Sequence, residues 1–150
     1  MTGSAGQLAT PILKNRLYIG SRMDAMVAKL NNPRSFTHVL CLEGSTKYPE
    51  DRCKVRFLHA ELDDDGGDSL VAFVAKVGPF IDEGVRKGKV LIHCTNGVNR
   101  APTVVVWYLM QYHAMPFLEA KEAVASRRRV SICKSYLAKL EELQALAPNE

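Results

Sequence analysis

Lys89-Val90-Leu91-Ile92-His93-Cys94-Thr95-Asn96-Gly97-Val98-Asn99-Arg100-Ala101-Pro102-Thr103 is the stretch on which the fold turns. Val90, Leu91 and Ile92 are an apolar run of the kind that forms a buried β-strand. Pro102 then opens a long apolar segment, and proline suits a helix's first turn because its missing N–H has no intrahelical partner there. Between them stand a cysteine, a glycine and an arginine, with five residues separating Cys94 from Arg100. The pattern predicts a strand, a loop and a helix in succession. The N-terminus of such a helix favours an anion, through its unpaired N–H groups and the positive end of its dipole.

That placement implies a chemistry. Backbone N–H groups of Thr95, Asn96, Gly97, Val98, Asn99 and Arg100 can curl around a tetrahedral oxyanion, with Gly97 permitting a positive φ in the arc. The same field favours the thiolate of Cys94, and the thiolate is the nucleophilic form. Arg100 carries a planar fork that can hold two phosphate oxygens at once, which a lysine cannot do. A nucleophile at the base of a phosphate cradle points to phosphoryl transfer through a phosphocysteine. A cysteine and an arginine at this spacing mean little alone. The flanking strand and helix, His93 and Gly97 make the pattern specific.

The rest of the chain bounds this reading. Its 150 residues, 47% hydrophobic and 24% charged, suit one folded domain over 1–150, with 1–12 a loose N-terminal arm. Nothing in the first eleven residues resembles a signal peptide, and no apolar run reaches the length of a bilayer crossing. The net charge of +4 agrees with an anionic substrate and equally with an ordinary solvated surface. The four cysteines, Cys41, Cys53, Cys94 and Cys133, show no C-x-x-C spacing, so neither a zinc site nor a disulfide framework is expected. Unpaired thiols without a secretion signal imply a reducing compartment, the cytoplasm, with the nucleus also open.

In chain order, Arg16-Leu17-Tyr18-Ile19 reads as a strand closed by Gly20. Ser21 is placed to cap a helix through about Leu30, with Met23, Met26, Val27 and Leu30 as its apolar stripe. Val39 to Leu42 reads as a buried strand, 47–53 as a loop, and 55–62 as another strand. The acidic, glycine-rich run 63–68 precedes a helix that starts at Ser69 and should kink near Ala75, because Pro79 removes a hydrogen bond. A helix apolar nearly all round covers 103–111, and two more cover 117–126 and 135–147. Arg127-Arg128-Arg129 reads as a solvated helix end, or alternatively as a patch attracting phosphoprotein, phosphoinositide or RNA. Alternating strands and helices place the fold in the α/β class.

His93-Cys94-Thr95-Asn96-Gly97-Val98-Asn99-Arg100 resembles the signature loop of cysteine-dependent protein phosphatases, and residues 15–143 resemble a small dual-specificity phosphatase catalytic domain. Asn15 to Ser21, Thr37 to Leu40, and Phe80-Ile81-Asp82 before Gly88-Lys89-Val90 extend the likeness. The resemblance implies a central mixed, largely parallel sheet of about five strands, with most helices on one face. It implies catalysis by Cys94, Arg100 and a general acid, with His93 supporting the loop and neither cofactor nor metal required. Aligning Leu70 and Phe80-Ile81-Asp82 with the family pattern selects Asp64 as the acid, with Asp63 as runner-up. The Asp run lacks the distal Glu of a calcium loop. Two positions depart from the family. Ala101 stands where Ser or Thr commonly helps the thiolate leave, so slower hydrolysis of the intermediate is expected. Ile132 and Cys133 stand where a Pro-Asn pair often steadies the loop. Cys133 is expected to pack, with a redox partnership to Cys94 as the alternative.

The leading expectation is a phosphatase acting on phosphotyrosine and phosphoserine or phosphothreonine in a protein substrate. The loop, including the Asn before Arg100, also resembles that of metazoan capping-type RNA 5′-triphosphatases, which do without the Asp acid. A phosphoinositide phosphatase and a phosphate-binding pseudophosphatase are the other readings on the same scaffold. Nucleic acid is a partner only under the triphosphatase reading.

Overall fold

The computed structural model describes residues 8–44 and 55–146. Cys53 and the expected loop 47–53 lie outside them. The strands are β1 (Thr10–Leu13), β2 (Leu17–Gly20), β3 (His38–Cys41), β4 (Arg56–His59) and β5 (Val90–His93). They form one sheet in the order β1-β2-β5-β3-β4. Only β1 runs antiparallel to its neighbour; the other pairings are parallel. The sheet is therefore mixed and largely parallel. The helices are α1 (Arg22–Leu30), α2 (Leu70–Lys87), α3 (Arg100–His113), α4 (Phe117–Ala125) and α5 (Lys134–Leu146). None of the described helices is long and apolar enough to cross a membrane.

The central strand explains the architecture. All four residues of β5 are buried, as parallel strands covered on both faces must be. Alternate side chains divide between two cores. Val90 and Ile92 join Leu17, Ile19 and Leu40 in a large core beneath α2 to α5. Leu91 joins Tyr18 and Val39 in a smaller core beneath α1. Helix α3 is buried at every position from Ala101 to Met110, because sheet and neighbouring helices surround it. The C-terminal ends of the parallel strands align: Gly20, His93, Cys41 and His59 are register partners across four strands. Ligand sites of open α/β sheets lie beyond such ends.

Two expectations are corrected. Residues 10–12 are not part of a loose arm, since they pair with β2, and Ala9 and Ile12 are buried. Pro11 is tolerated because β1 is an edge strand. Helix α1 is capped as expected, Asp24 Oδ2 accepting from the Ser21 backbone N–H at 2.9 Å, but it presents a different face. Met23, Met26, Val27 and Leu30 are exposed, while Ala25 and Ala28 pack on the sheet. The reason is clearance. Tyr18, Phe36, Val39 and Leu91 already fill the small core, and only alanines let the helix approach it.

Candidate active site

Strand β5 delivers Cys94 to the mouth of the sheet, and α3 begins at Arg100. The six residues between β5 and α3 form an arc whose carbonyls are spoken for. Thr95 O accepts from the Arg22 backbone N–H (3.0 Å) and Val98 O from the Ser131 N–H (2.7 Å). Asn96 O and Gly97 O accept from the Arg128 guanidinium (3.2 and 2.8 Å). Asn99 O accepts from Thr103, by both its backbone N–H (3.0 Å) and its hydroxyl (2.8 Å). No peptide bond among the described residues is cis. In a trans peptide the carbonyl and the following N–H point in opposite directions. Drawing the carbonyls of Thr95 to Asn99 outward therefore turns the N–H groups of Asn96 to Arg100 toward the hollow of the arc.

Gly97 closes that arc at φ +72°, and a Cβ there would stand 2.7 Å from the Gly20 carbonyl oxygen and against the Arg128 guanidinium. Glycine alone meets both demands. Cys94 is buried at the foot of the arc, and the Ala101 N–H, in the first turn of α3, points at its sulfur from 3.4 Å. A helix N-terminus and an amide donor both stabilise a thiolate.

His93 is completely buried, and desolvation pushes its pKa down to about 4, so it is neutral at neutral pH. One ring nitrogen lies 3.4 Å from the Cys94 carbonyl oxygen, which extends the outward pull to the start of the arc.

Arg100 lies over the arc, almost buried. Its Nη2 donates to Thr95 Oγ1 at 3.0 Å, and its Nη1 lies 3.5 and 3.4 Å from the Leu42 and Leu62 carbonyls. Its Nε is 3.2 Å from Asp64 Oδ1, close enough for an ion pair but not aligned as a hydrogen bond. The acidic loop thus meets the arc through Asp64. Asp63 is turned differently: it accepts the Asp65 backbone N–H at 3.2 Å, and that bond leads in holding its carboxyl below the usual range. Lys139 and Ser135 of α5 hold the loop from beneath through the Gly66 carbonyl, each at 2.7 Å.

Asn99 joins these parts. Its Nδ2 donates to the Asp64 carbonyl (2.8 Å) and to the Asp64 carboxylate (3.0 Å), while its Oδ1 accepts from the Cys133 N–H (2.9 Å). Asn99 occupies the N-cap of α3, where asparagine ordinarily bonds its own helix. Here that bond is absent and the amide serves the acidic loop instead. Support for the loop therefore reaches the backbone of Cys133 although its side chain is not an asparagine. Cys133 itself packs against the large core.

Arg128 is the residue that sequence reasoning placed wrongly. Arg127 and Arg129 are exposed, as expected of a solvated helix end, but Arg128 is 3% exposed. Besides the two arc carbonyls, its Nη1 donates to Leu8 O and Thr10 Oγ1, each at 2.8 Å. Burial lowers its pKa from the usual arginine value. Three consecutive arginines carry no mark of which one turns inward; the Leu8 carbonyl and the Thr10 hydroxyl, beside the arc, select it. Arg128→Met should leave several buried carbonyls without donors, at roughly 1–3 kcal/mol each. The expected result is a drop in the urea midpoint together with loss of phosphate binding, read by equilibrium unfolding and calorimetric titration.

Comparisons with known proteins identify the family and the fold. The family model "Dual specificity phosphatase, catalytic domain" matches residues 17–145. A relative from Arabidopsis thaliana, dual specificity protein phosphatase 1B, is 34% identical over 121 residues, covering 77% of this chain and 70% of its own length. MAP kinase phosphatase with leucine-rich repeats protein 1 of Dictyostelium discoideum is 29% identical over 135 residues, 89% of this chain but only 16% of that protein. Among solved structures, human DUSP28 superposes with a TM-score of 0.81 at 21% identity, covering 93% of this chain and 95% of that one, a likeness of fold. The chain belongs to the dual specificity phosphatase family of cysteine-dependent enzymes.

Proposed function

We propose that the chain hydrolyses phosphate monoesters of proteins, on tyrosine and on serine or threonine, through a phosphocysteine. The observation that carries this reading is the buried Cys94 sulfur at the foot of an arc of inward-turned amides, with Arg100 above it. Arc amides and the Arg100 fork hold the three equatorial oxygens. The Cys94 thiolate attacks phosphorus, forming the S–P bond as the P–O bond to the leaving group breaks. Asp64 gives its proton to the departing oxygen. Water then attacks the phosphocysteine, Asp64 takes its proton, and the S–P bond breaks to release phosphate.

The Asn before Arg100 is the feature shared with acid-free triphosphatases. Here its amide holds the Asp64 carboxylate at 3.0 Å, which supports a mechanism that uses that carboxyl. Cys94→Ser should abolish hydrolysis of an aryl phosphate while retaining phosphate binding; undiminished turnover by this variant would end the covalent scheme. Asn99→Ala should slow an alkyl phosphate, whose leaving group needs a proton, about 10-fold or more. With a p-nitrophenyl ester it should matter much less. Equal losses on the two substrates would show that Asn99 does not serve the acid.

A further inference from the structure

One group of chemically capable side chains stands outside the phosphate arc. Cys41, Glu43 and His93 are each at most 3% exposed, and one donor atom from each, a sulfur, a carboxylate oxygen and a ring nitrogen, lies within 4.8 Å of the others. The sheet brings them together: Cys41 and His93 are register partners on β3 and β5, and Glu43 follows two residues after Cys41. No short sequence spacing announces the trio, since His93 comes from a strand 50 residues away. They lie on the α1 side of the sheet. The Val39 and Leu91 side chains two positions earlier belong to the small core, whereas Cys94 belongs to the large one.

We infer that Cys41, Glu43 and His93 form a zinc-binding site separate from the catalytic thiol. A thiolate, an imidazole and a carboxylate are the mixed donor set that suits zinc, while magnesium and calcium take oxygen donors. Charge also balances. Thiolate and carboxylate neutralise the dication, and binding releases the Cys41 thiol proton to solvent. Tetrahedral zinc brings its donors to about 3.6 Å apart, so the three side chains need close only by about an ångström. Arg22 covers Glu43 from the solvent side: its side chain is 47% exposed and its Nε stands 3.4 Å from the Glu43 carboxylate. Zinc must displace that guanidinium, so Arg22 competes with the metal.

The site bears on the arc. His93 touches the Cys94 carbonyl through a ring nitrogen, and the Arg22 backbone N–H holds the Thr95 carbonyl. Metal that draws the His93 ring and frees the Arg22 side chain disturbs both, so zinc slows turnover without competing for the phosphate position. This second statement rests on the proposed phosphatase function; the binding site does not.

The test is a cobalt titration of the Cys94→Ser protein, followed by zinc displacement. A saturable one-to-one thiolate-to-cobalt absorption band is expected. It should vanish in Cys94→Ser/Cys41→Ser. Glu43→Gln in the Cys94→Ser background should weaken it by roughly 10-fold or more, since even groups behind the metal ligands matter that much. Arg22→Ala should strengthen it. An unchanged band in the Cys41→Ser double variant, or none in Cys94→Ser, overturns the site. With Cys94 intact, zinc inhibition should be non-competitive with phosphate and weaker in Cys41→Ser. Competitive inhibition indifferent to Cys41 would overturn the regulatory part alone. A protein without phosphatase activity that still shows the cobalt band would separate failure of the function from failure of the site.

Discussion

The directions of five consecutive carbonyls, Thr95 to Asn99, are the constraint on which this site depends. They are held by donors from three places in the chain: the start of α1, the segment after α4, and the first turn of α3. A loop of inward amides is costly in isolation, because parallel N–H dipoles repel and no internal partner satisfies them. It persists when its carbonyls are bound from outside, which is what lets a short loop present a fixed positive concavity. The concavity is thus a property of the whole fold. Strand β5 places its start, helix α3 its end, and Arg128 its middle.

The same logic explains where polar side chains are spent. A buried arginine is costly unless its donors are used, and Arg128 uses them on the Leu8 carbonyl, the Thr10 hydroxyl and two carbonyls of the arc. Asn99 gives up its role as a helix cap, a contribution of about 1 kcal/mol, to connect Asp64 with the arc and with Cys133. Burial keeps His93 uncharged, and its ring contributes a contact to a carbonyl instead of a second positive charge beside the sulfur. Stability conceded locally by these groups goes to the geometry of one loop.

Much of this was legible in the residues. The apolar runs of β3 and β5, the capped start of α1, and the all-round apolarity of α3 are local signals, and local signals survive folding. The arc was legible because a cysteine, a glycine and an arginine must sit at fixed offsets between strand and helix. What escaped depends on partners distant in sequence. Residues 10–12 look like part of a loose arm until β2 is there to pair with them. The larger apolar stripe of α1 faces outward because the smaller alanine face fits a core already filled by residues of other elements. Arg128 reads as one of three surface cations until its carbonyl partners, up to 120 residues away, are in place. Asn99 was readable as a member of the loop but not as the link between that loop and the carboxylate.

Amide resonances report the orientation of the arc most directly. In isotope-labelled Cys94→Ser protein, inorganic phosphate should move the amide protons of Asn96, Gly97, Val98, Asn99 and Arg100 downfield together, because each donates to an oxyanion in the hollow. Saturating phosphate that leaves those five resonances in place while shifting others would contradict an arc of inward-facing amides.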